Sequence, residues 1–424
     1  MASTIAVDKL QVGMFIHLDG GWLSHPFPLS SFRITGAEQI AVIRRLGLAQ
    51  VRWNPDKSLL AGADGAAPPP AAQAQAGAAE TAARRHRELL ALQREAQQQC
   101  EHQFGEAAHA WHEAWSAATA RPAEARDKAN ALAQAMVDKL VLGGDVGIRL
   151  VAGAAGEHAA AHALNVSVVA LLLARSLGLA PEEMLDLGLG ALMHDAGKIE
   201  LPERVRHADP GIGAADLAAY RDHVAKGVVL GRRMGLSEGA LAVLAQHHEH
   251  ADASGFPQRL GGERIALTAR IVALVDRYDN LCNPPSRVPP LTPHEAVSML
   301  FAQGRARYDS IVLNVFIRMM GVYPAGSLVQ LTDDRYALVV GVNSTRPLKP
   351  RVLVHDPGVP RDEALLLDLE HTPDVGVRRS LSAGKLPAPA LEYLDPRPRV
   401  RYYFEPLGSG APATRDDATA AVMA

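Results

Sequence analysis

Hydrophobic and polar positions alternate in short strand-like pieces at the start of the chain, VGMFIHL and AQVRWN. They flank ITGAEQIAVIRRLG, whose apolar residues recur at helical spacing. The pattern predicts a small α/β module over 1–60. Between 61 and 83, AGADGAAPPPAAQAQAGAAETAA offers three prolines and little bulk to bury, which predicts an Ala/Pro-rich linker. Leucine or tryptophan at intervals of three and four then predicts two helices, 84–120 and 122–142, divided by Pro122 within a helical stalk over 84–150.

From Gly156 to Gly321, amphipathic segments follow one another between Gly and Pro punctuation, so 151–322 is expected to be an all-α domain. Beyond Pro324 the period falls to two in SLVQL, YALVVGV and RVLVHD. This predicts a β-rich appendage over 323–405, and 406–424 reads as a disordered tail. The fold class is therefore multidomain: mainly all-α, preceded by an α/β module and a stalk and followed by short strands. No internal repeat is evident.

The length of 424 residues suits two or three domains, and a composition 48% hydrophobic but only 5% aromatic fits a helix-rich protein. A formal net charge of −3 supplies no field for DNA or an anionic membrane, so neither partner is expected. Cys100 and Cys282 are too few for a disulfide framework. No uninterrupted apolar run reaches the roughly 18 residues of a membrane span, and MASTIAVDKL is no signal core, so a cytoplasmic location is expected.

Histidine changes the picture. Of the 17 histidines, His158, His162, His194, His207, His223, His247, His248 and His250 crowd into under a quarter of the chain. His194 and Asp195 interrupt the apolar run LGLGALMHDAGKI, where an unpartnered carboxylate would cost several kcal/mol. An isolated His-Asp pair can simply pin neighbouring helices. Here it is accompanied by His162, His223, His247, His248 and Asp276, each another polar break in an apolar stretch.

Imidazole with carboxylate suits two divalent transition-metal ions, Fe or Mn foremost, with Ni or Zn also compatible. Asp195, with two oxygens, can bridge them. Two such ions about 3.5–4 Å apart would hold a hydroxide and neutralise an attacked phosphate. Lys198, four residues after His194, is expected on the same helical side, as a point charge for phosphate. Trp111 and Trp115, four apart, read as core, as do Trp22 and Phe27.

These motifs resemble the HD-GYP family of bacterial cyclic di-GMP phosphodiesterases, a branch of the HD superfamily, over about residues 156–321. The family's HDxGK is His194-Asp195-Ala196-Gly197-Lys198; its first ligand is His162, and its later ones are His223, His247-His248-Glu249 and Asp276 in DRYDNL. The name motif reads Gly255-Phe256-Pro257, with Phe256 for tyrosine and Ala253 for a glycine that would leave the backbone freer. His207-Ala208-Asp209-Pro210 stands where a lysine is usual, and Arg287-Val288-Pro289-Pro290 where RPYR is usual. A third-metal glutamate is replaced by His158, so two metals are expected. Residues 3–58 are similar to a domain of unknown function that precedes HD-GYP domains.

The resemblance implies hydrolysis of cyclic di-GMP to pGpG or GMP. It makes Asp195 and Lys198 the catalytic pair, and Lys198, Arg277, Asp279, Gly255, Phe256 and Pro257 substrate contacts. Two alternatives stay open: a catalytically weak domain that binds a cyclic dinucleotide or signals to partners through the Gly255-Phe256-Pro257 loop, and hydrolysis of another nucleotide. A homodimer through the stalk is also compatible with the pattern.

Overall fold

A computed structural model describes residues 3–19, 24–27, 30–59, 71–142, 146–151, 158–206, 212–285, 288–343 and 346–406. The readings at Trp22, His207–Pro210, Arg287 and the tail beyond 406 lie outside these residues.

The N-terminal module is an antiparallel sheet of β1 (Ser3–Ala6), β2 (Phe15–His17), β3 (Ser31–Arg33) and β4 (Gln50–Asn54) in the order β1-β4-β2-β3, with α1 (Ala37–Arg45) between β3 and β4. Alternation puts Ile16, Phe32 and Val51 inside, where they meet Ile40 and Ile43 of α1. Phe27 stacks on Phe32 with centroids 4.6 Å apart, as core aromatics.

The long helix α2 (Ala71–Ala117) begins inside the stretch expected to be a linker. Composition misled there: once past Pro70, a run of alanine with glutamine and glutamate combines the strongest helix formers. A bend follows, and α3 (Pro122–Leu142) starts on Pro122, tolerated because a first-turn N–H has no intrahelical partner. The pair is not a free stalk. Phe104, Trp111 and Met136 share one core with the helical domain, and the Trp111 indole N–H donates to the Leu192 carbonyl at 2.8 Å.

The helical domain contains α4 (His158–Leu177), α5 (Pro181–Met193), α6 (Ala214–Met234), α7 (Glu238–Gln246), α8 (Leu267–Cys282), α9 (Pro293–Gln303) and α10 (Ser310–Met320). Local chemistry sets their starts. Thr292 and Glu295 form a reciprocal cap on α9, and the Asp309 carboxylate accepts from Ile311 and Val312 N–H at α10. By length and hydropathy α4 alone among the described helices would pass for a membrane span. It is instead largely buried among α5, α8 and α10, as the core helix of the domain.

The strands flanking this domain form one sheet. β5 (Val146–Leu150), within the range assigned to the stalk, joins β6 (Leu328–Leu331), β7 (Tyr336–Asn343), β8 (Arg351–Val354), β9 (Leu367–Asp368), β10 (Val377–Leu381) and β11 (Tyr402–Pro406). The order is β10-β6-β7-β5-β11, with β8 pairing β7 and β9; the short helix α11 (Ala388–Leu394) precedes β11. β5 is buried on both faces, and so lacks the alternation by which a strand is recognised. The appendage is thus completed by a strand from before the helical domain. Across it Glu405 of β11 accepts from Arg149 of β5 at 2.5 Å and from Arg351 of β8. Cys100 and Cys282 are free and buried.

Candidate metal centre

Five helical elements converge on one point. His162 lies on α4, His194 caps the end of α5 with Asp195 beside it, His223 lies on α6, His247 and His248 follow α7, and Asp276 lies on α8. The dyad does not sit on a helix side: α5 ends at Met193, and Ala196–Glu200 forms a 3-10 turn. Lys198 therefore reaches Asp195, not the flank of His194, and donates to its Oδ2 at 2.6 Å. The same Lys198 ammonium stands 5.3 Å from the centroid of the Tyr220 ring.

Backbone carbonyls fix the imidazole tautomers. His194 Nδ1 donates to Ala191 O at 2.8 Å, His223 Nδ1 to Tyr220 O at 2.6 Å, and His247 Nδ1 to Leu244 O at 3.0 Å. Each Nε2 is left with a lone pair aimed inward. The Nε2 atoms crowd together, His162 to His194 at 3.2 Å and His223 to His248 at 3.1 Å, and His223 and His247, whose Nδ1 protons are already given to carbonyls, face each other lone pair to lone pair at 3.4 Å. Lone pairs at such distances repel unless a cation stands between them.

Two ligand groups emerge among the described residues: His162, His194 and Asp195, and Asp195, His223, His247 and His248. Asp195 belongs to both. Its Oδ1 is buried with no hydrogen-bond partner, 3.7 Å from His223 Nε2, while Oδ2 is 3.5 Å from His194 Nε2. Asp276 Oδ1 adds a carboxylate oxygen 3.2 Å from His162 Nε2 and 3.7 Å from His194 Nε2. An orphaned carboxylate oxygen beside converging imidazole lone pairs fits divalent transition metals.

The electrostatics agree. Burial, with neighbouring imidazoles, pushes His247 down to about 3 and His248 well below 6.5, which keeps both as neutral ligands. Burial opposes a charge on His162 too, but hydrogen bonds with Asp276 and Asp279 override it and raise that imidazole to about 10. The carboxylates thus favour positive charge at this spot. Asp195 stays well below 3.8 despite burial, because Lys198 and His194 favour its anion.

Other expected contacts distribute differently. Asp279, expected to meet substrate, is 1% exposed behind His162: its Oδ2 accepts from His162 Nδ1 at 2.7 Å and its Oδ1 from Asn165 and Asn283. It orients the His162 imidazole. Arg277 is exposed on α8. His158 Nε2 lies 3.1 Å from the Asn283 carbonyl, beyond the two groups.

The Gly255-Phe256-Pro257 loop borders the centre, its Phe256 ring stacked on His248 at 4.6 Å and covered by the Arg221 guanidinium at 5.0 Å. The Glu249 carboxylate accepts from Gln258 and Leu260 N–H and holds the loop down. Ala253, where the family pattern has glycine, adopts φ 61°, the conformation glycine takes freely. Glu249, Arg221, Tyr220, Asn165 and Asn283 were not singled out in the sequence as structural agents; of these only Asn165 breaks an apolar run.

Fold and site together define an HD domain: residues 148–312 match the HD domain family, and residues 3–149 match the domain of unknown function DUF3391. The chain thus carries a DUF3391 match followed by an HD-domain match, an arrangement consistent with the HD-GYP branch. The DUF3391 match runs well past residue 58, through both stalk helices and into β5.

Among curated relatives, a cyclic di-GMP phosphodiesterase of Pseudomonas aeruginosa, PA4108, is 30% identical over 200 residues, 47% of this chain and 48% of that protein. The cyclic di-GMP phosphodiesterase response regulator RpfG of Xanthomonas campestris is 33% identical over 157 residues, 36% and 41%. A 3'3'-cGAMP-specific phosphodiesterase of Vibrio cholerae is 30% identical over 166 residues, 39% and 32%. The chain spans about half or less of the length of these relatives. Among solved structures, the HDG"Y"P protein Bd1817 from Bdellovibrio bacteriovorus superposes with a TM-score of 0.41 at 16% identity, covering 74% of this chain and 97% of that one.

Proposed function

We propose that the protein is a metal-dependent cyclic dinucleotide phosphodiesterase, hydrolysing cyclic di-GMP to pGpG or GMP. The observation that carries the reading is Asp195, shared between two converging ligand groups with one buried oxygen unpartnered. The names of the relatives supply the substrate class.

His162, His194, Asp195 and Asp276 would hold one divalent ion, and Asp195, His223, His247 and His248 the other, Fe or Mn foremost. Bound there, the pair supplies Lewis acidity for the phosphodiester and acidifies water. The chain's own residues prepare the site. Carbonyls of Ala191, Tyr220 and Leu244 fix the imidazoles, Lys198 holds Asp195 and adds positive charge for phosphate, and Phe256 covers His248. Two free buried thiols suit a reducing cytoplasm.

Metal analysis of protein purified without chelators, followed by parallel assays on cyclic di-GMP and 3'3'-cGAMP, tests the proposal. About two ions per chain and turnover of cyclic di-GMP are expected, with Asp195→Ala inactive though folded. Binding without turnover would recast the domain as a signalling module, and faster cleavage of 3'3'-cGAMP would overturn the substrate. A folded Asp195→Ala with full activity would reject the site.

A further inference from the structure

Residues 400–402, far outside the HD domain match, are wired into the metal centre. The Asn283 amide donates to Asp279 Oδ1 at 2.8 Å and to Val400 O at 2.9 Å, and its oxygen accepts from Val400 N–H at 2.8 Å. Asn165 repeats the pattern: it donates to Asp279 Oδ1 at 2.8 Å and Val400 O at 3.0 Å and accepts from Tyr402 N–H at 2.8 Å. Both amides are buried and satisfied on each side, so turning either one over would set its oxygen against the Asp279 carboxylate. Asp279 Oδ2 then accepts from His162 Nδ1.

The strand edge explains why two asparagines are needed. Among the described residues β11 ends its sheet, paired to β5 on one side only. At the open side, Val400 and Tyr402 present backbone groups that would be orphaned in the interior; an amide, with donor and acceptor side by side, satisfies them as another strand would. The spare donor of each amide turns to Asp279. Edge capping and ligand orientation are thus one network, running Val400–Tyr402 to Asn165 and Asn283, to Asp279, to His162.

We infer that Asn165 and Asn283 are positioning residues through which the C-terminal strand sets the orientation and basicity of His162, making the appendage part of the metal centre. The inference rests on the two-metal reading above. A carboxylate behind a ligating imidazole is worth about 10–100-fold in metal affinity, and among the described residues this carboxylate is aimed by the two amides and its own helix.

The test is Mn2+ titration of the full chain. Asn165→Asp keeps the acceptor for Tyr402 N–H but replaces the donor facing Asp279; Asn165→Leu and Asn283→Leu remove both functions. Tyr402→Phe is the control, since it deletes hydroxyl contacts of the same strand with Tyr278 and Ala325 but none with the asparagines. In folded Asn165→Asp, one of two Mn2+ sites should weaken about 10–100-fold while the other is unchanged; Tyr402→Phe should lower the melting temperature and leave both sites intact. Wild-type affinity at both sites of Asn165→Asp, or equal weakening of both, would overturn the inference. A wild-type chain that binds no Mn2+ would instead overturn the proposed function beneath it.

Discussion

Gly197, in the motif His194-Asp195-Ala196-Gly197-Lys198, marks where the 3-10 turn after the dyad meets α6 backbone to backbone. A β-carbon there would lie 1.9 Å from the His223 carbonyl oxygen, 2.5 Å from the Gly227 nitrogen and 2.8 Å from the His223 carbonyl carbon. Non-bonded heavy atoms settle at about 3.5 Å, so Gly197→Ala requires α6 to withdraw by about 1.5 Å. Such overpacking costs about 1–3 kcal/mol. The withdrawal also carries His223 away from His247 and His248, in a site that tolerates about 0.5 Å of error.

The Asp195, His223, His247 and His248 group should therefore suffer, and the His162 side should not. Urea unfolding in chelator and Mn2+ titration measure the two effects separately. Gly105→Ala is the opposite-signed control: it lies within α2, its β-carbon meets nothing within 4 Å, and alanine there should stabilise by about 0.5–1 kcal/mol. Unchanged stability and two intact Mn2+ sites in Gly197→Ala would refute the reasoning.

Glu405→Leu removes the carboxylate between buried Arg149 and half-buried Arg351, and uncompensated interior charge costs about 3–5 kcal/mol; a loss under about 1 kcal/mol in urea unfolding would contradict the pairing. The metal-free protein should be most stable near neutrality. His247 titrates at 6.5 unfolded but at about 3 folded, mainly through burial, so the unfolded chain binds the extra proton and stability falls as pH drops from 6.5 toward 3. His162 has the opposite sign. Burial resists its charge, yet Asp276 and Asp279 raise it to about 10, so its contribution is complete below 6.5 and disappears as pH rises through 10. Melting temperatures in chelator between about pH 5 and 10 check both limbs, and a curve still climbing at pH 9 would rule out the second.

The candidate ligands were legible because each is a polar interruption of an apolar helix, and burial makes such a residue conspicuous. Asp279 was legible as a residue but not in its role, since DRYDNL places it one helical turn after Asp276 and only the fold turns one carboxylate toward the lone pairs and the other toward the Nδ1 side of His162. Asn165 is itself a polar break in the apolar α4, but its role was not legible, because its partners Asp279 and Tyr402 lie 114 and 237 residues away; Asn283 is likewise tied to Val400, 117 residues away. The position of Lys198 was misread because LGLGALMHDAGKI looks like one helix. The Ala196–Glu200 turn replaces helix there, and it lets Gly197 press against α6.

The altered name motif bears on catalytic strength. A β-carbon at Gly255 would come within 2.4 Å of His248 O and 2.5 Å of His250 N, so the glycine retained here is the one the loop cannot do without. Ala253 holds a left-handed backbone at a cost of about 1–2 kcal/mol, yet the loop keeps its course because Glu249 ties Gln258 and Leu260 to it. Phe256 is fixed by its ring against His248 and by its N–H to the His248 carbonyl at 3.1 Å, neither of which uses a hydroxyl. Both departures from the family pattern thus fall where the anchoring of the loop to His248 does not depend on the changed group. A defect caused by these substitutions should therefore appear in what the loop offers to substrate, with metal binding spared.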